Sequence, residues 1–147
     1  MNEKSELSDL AGALLRGLEA APNNNKDCAR VAEYAATIFG MSVHSISQEL
    51  YRENVNDIMI FFKGFVKFCG LAVGLSDDEC IDAFEMFFVE ITGLPRQEAA
   101  MTFSVLDRMA KTPEGVTLIE AGKFAAYDCQ EGNIAKATAA LGKALGI

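Results

Sequence analysis

Between Ile58 and Leu75 the chain carries two charges, Lys63 and Lys67, in an otherwise apolar run. At helical spacing these lysines share one narrow stripe with Gly70 and Gly74, because residues three or four apart are neighbours on a helix surface. Every other direction around that helix is apolar. A helix of this kind is buried, either in a soluble core or in a membrane. The run approaches the roughly 18–20 residues that span a bilayer. Two lysines in mid-span would each cost about 2.5–3.5 kcal/mol on insertion. The pattern therefore predicts a central core helix over residues 54–74, opened by Asn54-x-x-Asp57 and closed by Gly74. Gly70-x-x-x-Gly74 predicts that a neighbouring helix sits close to its backbone.

The flanks repeat the helical period. Leu7, Leu10, Leu14 and Leu18 mark a helix over residues 5–20, stopped by Ala21-Pro22-Asn23-Asn24-Asn25. Asn25 reads as the N-cap of a helix reaching Phe39, with Cys28, Val31, Ala35 and Ile38 inward and Gly40 just past its end. Ser45-x-x-Gln48 reads as a capping box for a short segment with Ile46 and Leu50 inward. Ser76-x-x-Glu79 is a second capping box. It opens a helix with Ile81, Phe84, Phe88 and Ile91 on one face and Phe87 beside them. Seven of the ten phenylalanines lie between Phe61 and Phe88, so this helix and the central one predict the aromatic centre of the core.

Gly93-Leu94-Pro95 breaks the chain again. Pro95 fits the first position of a helix through Lys111, with Ala99, Phe103, Leu106 and Met109 inward. Thr112 and Pro113 repeat that logic as N-cap and first residue. The helix they open, to about Cys129, has Val116, Ile119, Gly122 and Ala126 on one side. The last segment, 134–145, has Ile134, Ala137, Leu141 and Leu145 as its seam. No sustained alternation and no hairpin dipeptide argue for strands. The expected fold is all-α: one domain over residues 1–147, about seven to eight helices around the central apolar helix.

Composition narrows the function classes. A chain of 147 residues can bury close to about 70% of its unfolded surface without a staple. The net charge of −8 argues against nucleic acid and against anionic membranes. It favours a partner with a basic surface. Met1-Asn2-Glu3-Lys4-Ser5-Glu6 has no apolar stretch of a secretory signal, so a cytoplasmic location is expected. None of Cys28, Cys69, Cys80 and Cys129 forms C-x-x-C, and the expectation is four buried reduced thiols with no metal or cofactor.

Candidate chemistry is sparse. His44, the one histidine, stands at a helix start without a Cys, Ser or H-E-x-x-H context, and reads as a surface or capping residue. The helix after Ser76 is unusual. Asp77, Asp78, Glu79, Asp82, Glu85 and Glu90 are acidic, and no Lys or Arg occurs from Ser76 to Thr92. Asp78, Asp82 and Glu85 align on one stripe, where unpaired like charges cost a few tenths of a kcal/mol each. A cation, basic residues elsewhere in the fold, or a partner would offset that cost. The spacing lacks the alternating aspartates of an EF-hand calcium loop.

Two local resemblances follow from quoted residues. Gly122…Tyr127…Gly132-Asn133…Ala137…Ala140-Leu141…Ala144-Leu145 resembles a single tetratricopeptide-type helical hairpin, without a second copy or the closing proline. Val73-Gly74-Leu75-Ser76-x-x-Glu79 resembles the helix junction of tellurite-resistance-B-like domains. Those carry Asp-Gly where this chain has Val73-Gly74, so a metal role does not carry over.

The leading expectation is a non-enzymatic interaction module, of adaptor, inhibitor, immunity or regulatory type, that binds a basic partner through Asp78, Asp82 and Glu85. The alternative is a helical domain binding a small molecule or metal ion, with an apolar pocket between the aromatic helices, and so an enzyme in some versions. A homo-oligomer seamed by the Ala-rich last helix is the third reading.

Overall fold

The computed structural model describes residues 24–44 and 46–147. Among them are seven helices and no strand: α1 (Asn24–Val43), α2 (Gln48–Glu53), α3 (Val55–Ala72), α4 (Asp77–Thr92), α5 (Arg96–Ala110), α6 (Pro113–Gln130) and α7 (Ile134–Leu145). This is the all-α multi-helix bundle that the periodicity predicts. The helix expected over residues 5–20 lies outside the described residues, as does Ser45. No described helix is long and apolar enough to cross a membrane.

The central role of α3 follows from its composition. Ile58, Met59, Ile60, Phe61, Phe62, Phe65 and Val66 are each at most 1% exposed. Such all-round burial requires neighbours on every side, and α3 touches every other described helix. Phe62 is the hub of the aromatic core. Its ring lies 5.4 Å from Phe39 of α1, 5.5 Å from Phe87 of α4, and 5.1 and 5.5 Å from Phe61 and Phe65 of its own helix.

The close backbone approach falls elsewhere than expected. Nothing lies within 4 Å of a Cβ placed on Gly74. The tight crossing is between α3 and α6, at Gly64 and Gly122. A Cβ on Gly122 would overlap the Phe61 carbonyl oxygen and stand 2.8 Å from its carbon. A Cβ on Gly64 would likewise overlap the Ile119 carbonyl. Gly70 faces a side chain instead, the Cys80 sulfur, which would be 2.5 Å from an added Cβ.

Gly74 has a different task. With φ +88° it takes the left-handed position after α3. The Leu75 N–H then donates to the Gly70 carbonyl (2.9 Å) and the Gly74 N–H to the Leu71 carbonyl (3.1 Å). That is a Schellman closure, and Leu75, 4% exposed, provides its apolar contact.

Other helix ends fit or correct the sequence reading. The Ser76 capping box forms in both directions: Glu79 N–H donates to Ser76 Oγ (3.2 Å), and Ser76 N–H donates to Glu79 Oε1 (3.0 Å). Thr112 caps α6 by accepting from Gly115 N–H, and Pro113 is its first residue. Asn54 precedes α3 but its side chain donates backwards to the Leu50 carbonyl, so it closes α2 instead of capping α3. Ser47 caps α2 by accepting from Leu50 N–H. Pro95 is the N-cap of α5, so that helix starts one residue later than expected, at Arg96. Gly40 does not end α1, which continues to Val43 and brings Met41 and Val43 against the core.

Candidate functional site

The reciprocal cap at Ser76 fixes where α4 begins, and so where its acids project. Cys80, Ala83, Phe84, Phe87 and Phe88 are buried. Asp78 and Asp82 are exposed and make no ion pair among the described residues. Glu85 behaves differently. It is half-buried and its Oε1 lies 3.5 Å from Arg96 Nε, across the turn into α5. Part of the acidic stripe is thus offset by a basic residue of the same chain.

Ile81 corrects the sequence reading. It faces outward, 58% exposed, beside the stripe of Asp78 and Asp82. The cause is the seat of Cys80 on Gly70, which turns Cys80 inward and leaves Ile81 at the edge of the apolar stripe. Val116 of α6 is similarly outside, 50% exposed, because Gly115, Leu118 and Gly122 take the inner face.

Ile81 also borders a groove, in the region where the alternative reading expects an apolar pocket between the aromatic helices. It lies between α3, α4 and α5 and encloses about 220 Å³. Phe84, Phe103 and Leu106 form its apolar walls with Ile81, and Cys80 lines it as well. Four charged side chains line it: Lys63, Lys67, Asp77 and Asp107. Lys63 is paired with Asp107. Lys67 and Asp77, both exposed, form no ion pair with each other or with any described residue. The lysine stripe of α3 therefore reaches α5 through Lys63 and does not neutralise the acidic face of α4.

All four cysteines are free and buried. Burial pushes each thiol up: Cys129 to about 11, partly offset by the neighbouring Tyr34 hydroxyl, and Cys69 well above its ordinary value. Cys28 and Cys80 are raised by burial first, then by nearby carboxylates. The Tyr34 hydroxyl is buried beside Cys129 without the geometry of a hydrogen bond, and burial raises it too. Raised thiols hold little thiolate at neutral pH and are weak nucleophiles. Among the described residues no group of His, Cys, Asp and Glu could hold a metal ion. His44 is exposed at the turn after α1.

No family model, curated protein or solved structure matches this chain.

Proposed function

We propose that the chain is a non-enzymatic, cytoplasmic interaction module that docks a protein with a basic surface through the outer face of α4. One observation carries this reading: Asp78 and Asp82 are exposed and unpaired on one stripe of α4, with the exposed Ile81 beside them. Two open carboxylates steer a basic partner, and an aliphatic side chain beside them supplies contact area that is desolvated on docking. Glu85 has a smaller part, since its partner Arg96 is already in place. Four buried thiols suit a reducing compartment.

The test is a double charge reversal, Asp78→Lys with Asp82→Lys. The wild-type chain is first used to capture and identify its partner from the native cell extract. Association of the purified pair is then measured at low salt. The double variant is expected to associate about tenfold more slowly, with its thermal stability within a few degrees of wild type. An unchanged on-rate would eliminate the proposal.

Self-association is a second reading, with a different seam from the one first expected. The Ala-rich α7 buries Ile134, Ala137 and Leu141 inside its own chain. Phe124 is 67% exposed on α6, one turn before Tyr127, whose ring packs edge-on against Phe68. A dimer through this patch predicts a light-scattering mass that rises with concentration, and a Phe124→Lys variant that stays at one chain. A wild-type mass of one chain at all concentrations removes it.

A further inference from the structure

We propose that the groove between α3, α4 and α5 binds a small apolar zwitterion, an amino acid with an aliphatic or aromatic side chain. The argument starts from the charges at its edge. Lys63 and Asp107 neutralise each other. Lys67 and Asp77 are left, opposite in sign, both lining the groove and both unpaired among the described residues. Cys80 brings their positions together: it lies one helical turn after Asp77, and its Sγ is 3.8 Å from the Lys67 carbonyl oxygen. A ligand carrying a carboxylate and an ammonium on one carbon answers both charges at once.

The rest of the groove sets the remainder of the ligand. Its walls are Phe84, Phe103, Leu106 and Ile81. Its 220 Å³ is on the order of seven water-sized volumes, enough for one amino-acid side chain and too small for a drug-sized molecule. A nucleotide or a long acyl chain does not fit that space. A simple carboxylate would leave Asp77 facing it unanswered, and a simple amine would leave Lys67.

The groove shares Ile81 with the proposed docking face, but the two tests are separate, since neither Lys67 nor Asp77 is altered in the docking test. Its own test is an amide NMR titration of the full chain with three probes of one carbon skeleton. These are L-leucine, 4-methylpentanoate, which lacks the ammonium, and 3-methylbutylamine, which lacks the carboxylate. Leucine is expected to give saturable shifts at Cys80, Ile81, Phe84 and Leu106, and to bind at least about threefold more tightly than either analogue. Lys67→Gln should bring leucine down to the level of the amine, and Asp77→Asn down to the level of the carboxylate. Both positions are exposed, so each variant keeps its fold, checked by unchanged amide positions away from the groove. Absence of saturable shifts would overturn the proposal. So would equal or tighter binding of either analogue, and a preference for the amine would reassign the groove to a basic anchor residue of a protein partner.

Discussion

Gly122→Ala is expected to destabilise the fold by about 3 kcal/mol or more, measured by chemical denaturation. Overpacking a core costs about 1–3 kcal/mol when flexible side chains can give way. Here the added methyl meets the backbone of α3 alone: the Phe61 carbonyl and the Phe65 amide nitrogen, 3.0 Å away, one turn on. Neither can rotate aside. The helices α3 and α6 must separate, and separation exposes Phe61 and Phe65, which are 0% exposed. The internal control is Gly40→Ala. That glycine is also helical but has nothing within 4 Å of a new Cβ. It should gain about 0.5–1 kcal/mol from alanine's better helix propensity. Opposite signs for the same substitution would locate the tight crossing. A loss below about 1 kcal/mol at Gly122 would mean that α3 and α6 do not pack through this glycine.

The same crossing explains what was legible in the sequence. Helix existence was readable almost throughout, because each segment repeats its apolar residues at helical spacing and most ends carry a chemical signal. Ser76, Thr112 and Gly74 act at helix ends as their chemistry requires. The rotation of each helix about its own axis was harder. Periodicity gives an apolar arc but not its centre, and the centre is set by where backbones come closest. For α4 that point is Cys80 against Gly70, which puts Ile81 outside. For α6 it is Gly122 against Phe61, which puts Val116 outside.

The candidate sites divide in the same way. Exposure of Asp78 and Asp82 was readable, since both lie opposite the phenylalanines on one helix. The engagement of Glu85 was not, because Arg96 lies beyond a turn whose geometry no local pattern fixes. The groove could not be read from any single helix. Lys67 belongs to α3, Asp77 and Phe84 to α4, and Phe103 and Leu106 to α5. Two cations on an otherwise apolar core helix were the one available hint. A buried helix keeps a lysine where its ammonium can reach water or an acid, and Lys63 reaches Asp107.

Phe62→Ala should cost about 3–5 kcal/mol, the range for truncating a buried phenylalanine. The upper part of that range is expected because of where the ring sits. Phe62 is 0% exposed and contacts rings from α1, α3 and α4 together. Its loss leaves a void bounded by three separate helices, and none of them can collapse into it without leaving its other contacts. A peripheral ring provides the comparison. Phe124, 67% exposed, should lose less than about 0.5 kcal/mol on the same change. The hub also predicts strong coupling between Phe62 and Phe87, whose rings stack 5.5 Å apart. Once one is removed, the second has lost part of what it packs against. The double variant should therefore cost less than the sum of the two singles by about 0.5–3 kcal/mol. Additive losses would show that the two rings do not support each other in the core, against their direct stacking.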